Sequence, residues 1–186
     1  MTTYISILRG INVSGQRLIK MEALRKLYMD SGFQHVQTYI QSGNVIFQYK
    51  ESDLHHLENK ITQMISVTFS FEVPVLVMNI NELRSVLENN PYTKDKAKDP
   101  AFFHITFLSA EPAQERLDKI KKEQYYPDEF ECSGKAIYLY CPNGYGKTKL
   151  TNNFFESKLK VIATARNWKT SLELLNLAEK ASTITN

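Results

Sequence analysis

The order of strands and helices in the first 80 residues constrains the fold more than any other feature of the sequence. Apolar alternation predicts four strands, and apolar residues at helical spacing predict two helices between them. Hairpin turn chemistry at Ser42, Gly43 and Asn44 separates the two middle strands. The order strand–helix–strand–strand–helix–strand is that of a ferredoxin-like unit. The predicted strands cover residues 3–8, 36–41, 45–48 and 73–78, and the predicted helices cover residues 21–31 and 53–66, the second with Ser52 as its cap.

The second half of the chain repeats most of this order. Its patterns predict a strand over residues 102–108, a hairpin with strands over 129–132 and 136–141, and helices over 113–123, 150–158 and 170–180. A full repeat needs one more strand, but the apolar stretch 161–163 is too short to predict it. We therefore predict an α+β fold made of two related, decorated ferredoxin-like halves with antiparallel sheets.

A polar stretch over residues 89–100 is the best candidate for a boundary between the halves. It combines charge and proline with a lack of periodicity, which favours a surface connection. A short helix over residues 82–88, with Asn81 as its cap, precedes it. We predict a first half at 1–80, a short helix and polar connection at 81–100, and a second half with C-terminal helices at 101–186.

Composition limits the class of protein. The chain has 186 residues, 42% of them hydrophobic and 23% charged, which is ordinary for a globular protein of one domain or two small ones. Its apolar runs are far shorter than the roughly 20 residues of a membrane span, and its first residues do not form a signal-peptide pattern. The spacing of Cys132 and Cys141 matches no metal or redox motif, so we expect reduced thiols in the cytoplasm. The net charge of +3 does not by itself indicate nucleic-acid binding.

Two segments in the first half have the polar, glycine-containing character of ligand-binding loops. Residues 9–15 (RGINVSG) follow the first strand, and residues 39–44 (YIQSGN) form the hairpin turn. The alternative is that their side chains satisfy backbone groups in the turns, or lie on a solvated sheet face. The candidate binding residues in these segments and at the next helix start are Arg9, Asn12, Lys20, Tyr39, Gln41, Ser42 and Asn44.

A third segment, residues 165–170, precedes the last predicted helix. Thr170 and Glu173 fit a capping box, and the helix start beside Arg166 and Asn167 could hold a phosphate or carboxylate. Residues 147–169 carry six basic side chains and one acidic side chain, a net charge of +5. Lys147 and Lys149 belong to this basic stretch, whose alternative interpretation is a solvated face.

Familiar catalytic and nucleotide-binding signals are missing. The sequence Gly146-Lys147-Thr148 matches the end of a phosphate loop, but Cys141 stands where that loop needs a glycine. The histidines form no metal pair, and we predict no metal site and no cofactor. The ferredoxin-like order allows RNA recognition by an open sheet, yet Asn44 and Ile46 stand where stacking aromatic residues are expected.

The sequence resembles an uncharacterised bacterial family, the domain-of-unknown-function family 1697. The resemblance is carried by residues 8–13 (LRGINV), 39–45 (YIQSGNV) and 164–168 (TARNW), and it extends over nearly the whole chain. Ser14 and Ser171 stand where glycine and valine are frequent in the family. The resemblance implies two decorated ferredoxin-like units in one chain, and it implies no activity.

We predict a cytoplasmic protein that binds an anionic partner, either a nucleic acid or a phosphorylated metabolite. Its polar lining would come from the three segments, with charge from the basic stretch. One alternative is an enzyme for a small anionic substrate, with the arginines as electrostatic stabilisers. The other is a protein-interaction module that uses an exposed sheet. The sequence indicates neither a reaction nor an oligomeric state.

Overall fold

The computed structural model describes residues 1–50 and 53–183. The chain divides into two compact units. The first unit consists of residues 1–85 and the C-terminal segment that starts at Glu173, and the second unit consists of residues 86–172. No helix in the described part of the chain is both long enough and apolar enough to cross a bilayer.

The first unit has the predicted order of elements around one antiparallel sheet. The sheet order is β2-β3-β1-β4, and every neighbouring pair is antiparallel. This confirms the predicted fold class. The elements are β1 (Thr2–Leu8), α1 (Met21–Asp30), β2 (Gln34–Tyr39), β3 (Asn44–Tyr49), α2 (Leu54–Phe69), β4 (Val75–Asn79) and α3 (Ile80–Glu88).

The second unit repeats this arrangement with the sheet order β6-β7-β5-β8. The strand that the sequence did not reveal is β8, which pairs with β5. Its residues, ATARN, include no long apolar side chain, so no local pattern of the sequence predicts a strand here. The strand is defined by its pairing with β5. The elements are β5 (Phe103–Leu108), α4 (Gln114–Lys121), β6 (Glu129–Ser133), β7 (Ala136–Tyr140), α5 (Asn152–Leu159), β8 (Ala163–Asn167) and α6 (Trp168–Thr183).

Both faces of the first sheet are largely buried along β1, β3 and β4. Helices α1 and α2 cover one face, where the Tyr28 hydroxyl lies 2.9 Å from the Ser6 hydroxyl oxygen. On the opposite face Ile5, Ile7 and Ile46 are also fully buried. A base-stacking surface requires an exposed sheet face. The buried faces therefore argue against the RNA-recognition arrangement that the element order allows.

Two helices begin directly after a strand that ends in asparagine. The Asn79 side chain accepts a hydrogen bond from the Glu82 amide, and the Glu82 carboxylate accepts one from the Asn79 amide, each 2.9 Å long. The Asn167 side chain accepts a 2.7 Å hydrogen bond from the Thr170 amide. The predicted caps at Asn81 and Thr170 are therefore wrong by two and three residues, because each helix starts at the strand end. The predicted cap Ser52 lies outside the described residues, and Asp53 caps α2.

The second part of α6 lies with the first unit. The Gln48 amide donates a buried 2.8 Å hydrogen bond to the Ala181 carbonyl, and Arg84 forms a 2.8 Å ion pair with Glu179. The prediction placed the whole of this helix in the second half. Helical spacing defines where a helix runs, but only these contacts with the first unit show where residues 173–183 pack.

Candidate functional site

Two of the predicted segments meet in the first unit. The connection between β1 and α1, residues 9–20, is called the basic loop here, and Asn12 joins it to the β2–β3 turn. The Asn12 amide nitrogen donates to the Gln41 carbonyl at 2.8 Å and to the Ile19 carbonyl at 2.9 Å. The Asn12 side-chain oxygen accepts from the Ile19 amide at 2.8 Å. Asn12 therefore fixes the loop and the turn together, and these bonds occupy its side chain.

Gly43 allows the close approach between the turn and the loop. Its φ is +77°, a conformation that side chains disfavour. A β-carbon at this position would lie 2.7 Å from Cδ1 of Ile11 and 2.8 Å from Cβ of Leu8. The next residue, Asn44, is fully buried and donates to the Tyr39 carbonyl and the Ser42 hydroxyl. Much of the polar chemistry that predicted ligand binding here stabilises the turn instead.

The basic loop extends beyond this junction as a small hairpin. The Gln16 amide donates to the Val13 carbonyl at 3.0 Å, and the Asn12 amide donates to the Arg17 carbonyl at 3.2 Å. Ser14 and Gly15 at its tip both have positive φ, as in the tight turns that suit two-residue hairpins. The hairpin therefore has a defined backbone, and residues 13–18 are all exposed.

The charge of the basic loop has one sign. It contains Arg9, Arg17 and Lys20, and the first acidic residue of the chain is Glu22. Lys20 is exposed and precedes α1, whose start receives no side-chain capping bond from it. Helix-start amides and cations both favour anions. The arrangement can therefore attract a negatively charged group at the surface.

Arg17 is a candidate that the sequence interpretation missed. It adopts a φ of +47°, and its Nη1 lies 3.6 Å from the place a β-carbon at Gly10 would occupy. The Arg17 guanidinium therefore lies beside Gly10, whose φ of +71° favours glycine. The sequence signal that could have identified Arg17 is the absence of any acidic residue among the first 21 residues.

The other predicted residues of the first unit differ in exposure. Arg9 is half-buried, and Tyr39 is half-buried at the end of β2, where it pairs in register with Asn44. The Gln41 side chain is exposed in the turn. Lys20, Gln41 and Arg17 are thus the side chains most accessible to a partner.

The third predicted segment belongs to the second unit. Arg166 lies within β8 with only 9% of its surface exposed, and its Nη1 donates to the Thr164 hydroxyl at 3.0 Å and the Ala165 carbonyl at 2.8 Å. Asn167 is exposed but caps α6. Burial and these local bonds make Arg166 a poor candidate for gripping an anion at the surface. The idea that all three segments form one site stays a prediction.

Lys147 and Lys149 are exposed, but they do not form a phosphate loop. Lys147 ends a 3₁₀ turn over Tyr145–Lys147, and α5 starts only at Asn152, where Thr151 caps it. The helix predicted over residues 150–158 therefore begins two residues later than expected, at Asn152. In the described part of the chain neither lysine makes an ion pair, so both are available to an anionic partner.

His104 is a second feature that the sequence did not reveal. Its ring stacks on Tyr145 with centroids 4.6 Å apart and an angle of 20° between the planes. Burial lowers the pKa of His104, which the Phe102 carbonyl partly opposes. Burial therefore favours the neutral form of the imidazole. No spacing in the sequence connects these two residues, because the sheet brings them together.

The family assignment follows from the sequence profile of a family described as "Protein of unknown function (DUF1697)", which matches residues 1–138. The chain belongs to this family. The match includes the basic loop, the β2–β3 turn and the second unit as far as β7. It confirms the family assignment that the sequence analysis reached, although the motif at residues 164–168 lies outside the matched residues.

The fold is shared with a solved structure, "The structure of conserved bacterial protein SP0830 from Streptococcus pneumoniae". The TM-score is 0.75 and the identity 24%, and the alignment covers 95% of this chain and 98% of that chain. At this identity the likeness shows a common fold. No curated protein matches the sequence.

Proposed function

We propose that this DUF1697 protein binds an anionic partner through the basic loop, and that the partner is a nucleic acid. One observation carries the proposal: three cations, Arg9, Arg17 and Lys20, lie on a loop without any acidic residue. The bonds of Asn12 hold that loop to the sheet. A cationic surface held in place by its scaffold attracts phosphates without first having to become ordered.

The exposure of the loop supports a nucleic acid more than a phosphorylated metabolite. Small-molecule sites enclose most of their ligand. Residues 13–18 and Lys20 are instead exposed, as is expected of side chains that contact a phosphate backbone. Exposed Lys147 and Lys149 form a separate candidate patch on the second unit. We propose a cytoplasmic location, which the two free thiols Cys132 and Cys141 support.

The test measures binding of labelled single-stranded and double-stranded oligonucleotides at 50 and 200 mM salt. Each phosphate contact contributes about 0.7 to 0.9 to the slope of log affinity against log salt. The double variant Arg17→Ala/Lys20→Ala is expected to lower affinity and to reduce that slope by about 1.5. Lys147→Ala/Lys149→Ala tests the second patch in the same way.

Lys26→Ala is the matched control, because Lys26 is exposed on the neighbouring helix and already paired with Asp30. If Lys26→Ala lowers oligonucleotide affinity equally, the effect depends on the net charge of the protein and not on the basic loop. If the wild type binds no oligonucleotide, the proposal fails. Binding of a phosphorylated metabolite that Arg166→Ala abolishes would then support a metabolite as the anionic partner instead of a nucleic acid, since arginine can grip an anion with two bonds.

A further inference from the structure

We propose that a groove along the outer edge of β2 docks an extended, acidic polypeptide segment of a partner protein. Within the described first sheet, β2 is an end strand that pairs with β3 alone. An end strand presents backbone groups that an added strand can bond. This surface is separate from the basic loop, and the inference does not depend on nucleic-acid binding.

The groove has a volume of about 610 Å³ and lies entirely within the first unit. This falls within the roughly 300–1,000 Å³ of typical ligand sites. Val36 and Thr38 of β2 line it together with Leu177 and Ala181 of α6. Apolar and small side chains beside a strand edge suit the side chains of an extended peptide better than the phosphates of a nucleic acid.

The groove is already formed in the unbound protein. The Gln48 amide donates to the Ala181 carbonyl at 2.8 Å, and Arg84 pairs with Glu179 at 2.8 Å. These bonds hold the α6 segment against the first unit. A partner would therefore meet a preorganised groove, which reduces the ordering cost of binding.

The charge of the groove selects an acidic partner. Arg25 and Lys180 line it together with His35, and among the residues that the structure describes no carboxylate lines it. In residues 1–50 and 53–183 neither Arg25 nor Lys180 forms an ion pair. The Arg25 Nε donates to the Val36 carbonyl at 3.2 Å, which holds the guanidinium beside the strand edge. Carboxylates of a docked segment could pair with both cations.

The backbone of β2 indicates where the segment would dock. His35 has a φ of +49°, and the register with β3 shifts between Gln34 and Gln37. Such bulges interrupt the regular edge of a strand. Beyond the bulge, residues 37–39 pair regularly with β3. We expect the added strand to bond along residues 37–39, next to the carbonyl that Arg25 occupies.

The experiment uses the full chain and a labelled nine-residue peptide of alternating threonine and glutamate with blocked ends. Arg25→Glu and Lys180→Glu are each expected to weaken binding about tenfold, because an attraction becomes a repulsion. Lys26→Glu, one residue from Arg25 and outside the groove, is the matched control and should change binding less than about twofold. Arg25→Gln removes the charge more conservatively, and circular dichroism checks that each variant is folded.

A second measurement separates strand addition from simple charge attraction. When the peptide binds, hydrogen exchange should slow at those amides of residues 37–39 that point away from β3, and not at the amides of the basic loop. Three results would overturn the proposal: no binding of the peptide, equal binding of a peptide with lysine in place of glutamate, or no protection at residues 37–39. Displacement of the peptide by an oligonucleotide in a manner that requires Arg25 would assign the groove to nucleic acid instead.

Discussion

The two units share a sheet framework but differ in the connections that it carries. In both, the first strand pairs with the last, and the last strand ends at an asparagine that caps the following helix. Tyr4 pairs in register with Asn79, and His104 pairs with Asn167. The two sheets also have the same strand order.

The correspondence includes individual hydrogen bonds at the ends of the first strands. In each unit the backbone amide of the last residue of the first strand donates to a carbonyl in the hairpin turn. The backbone amide of the following residue donates to the carbonyl just before the last strand. These bonds are Leu8 to Gly43 (2.8 Å) and Arg9 to Pro74 (2.9 Å) in the first unit, and Leu108 to Lys135 (2.9 Å) and Ser109 to Ile162 (3.0 Å) in the second.

From that point the units diverge. The first strand leads to its helix through residues 9–20 in the first unit and through residues 109–113 in the second. The hairpin turn covers residues 40–43 in the first unit and only 134–135 in the second. The basic loop and the turn that supports it are therefore additions to a common frame. The binding candidates of the first unit therefore lie where the two units differ.

The largest expected difference concerns the glycines of the two hairpin turns. Gly43→Ala should destabilise the protein by about 3 kcal/mol, because a β-carbon at φ +77° also collides with Ile11 and Leu8. Gly134→Ala should cost only about 1 kcal/mol, because its φ is +55° and a β-carbon there meets nothing within 4 Å. Urea unfolding measures both, and equal losses would contradict the packing of the turn against the basic loop.

A smaller effect is expected from Asn12. Asn12→Ala removes three hydrogen bonds of the basic loop and should lower the unfolding free energy by about 2 kcal/mol. Asn12→Asp keeps the acceptor for the Ile19 amide but places a carboxylate oxygen against the Ile19 and Gln41 carbonyls, so it should cost at least as much as Asn12→Ala. Glu111→Ala, an exposed change in the corresponding connection of the second unit, should cost less than about 0.5 kcal/mol. Faster hydrogen exchange at Ile19 in Asn12→Ala would locate the effect, and an unchanged rate would contradict it.

The smallest expected effect is a loss of stability at alkaline pH in the second unit. Both cysteines lie in the second unit, and burial, reinforced by Asp128, raises the pKa of Cys141 to about 11. The folded state therefore keeps the proton that the unfolded thiol loses near pH 9, so stability is intact below pH 9 and falls as pH rises toward 11. Between pH 9 and 10 the expected loss is about 1 kcal/mol.

Fluorescence of Trp168, the single tryptophan of the chain, measures this loss in the second unit. Cys141→Ala is the matched variant, and its stability should depend less on pH over the same range. An equally steep fall in that variant would assign the alkaline effect to other groups.

Local patterns were sufficient to predict most of the fold. Alternating apolar residues and helical spacing give the elements of the first unit within a few residues, because its strands bury long apolar side chains such as Ile5 and Phe47. Glycine and asparagine at positions 43 and 44 marked the hairpin correctly. The motifs at residues 9–15 and 39–44 also identified the two segments that meet around Asn12.

The tertiary structure decided what those residues do. Asn12 and Asn44 can form hydrogen bonds in any loop. Their role in stabilising the structure depends on the partners that the fold places beside them. Strand β8 and the burial of Arg166 could not be predicted from the sequence either, because both result from pairing with the distant strand β5. The sequence determined the periodicity, the turns and the charge of the basic loop, because these depend on neighbouring residues. The burial of each polar group, and the packing of residues 173–183 with the first unit, depend on contacts between distant residues.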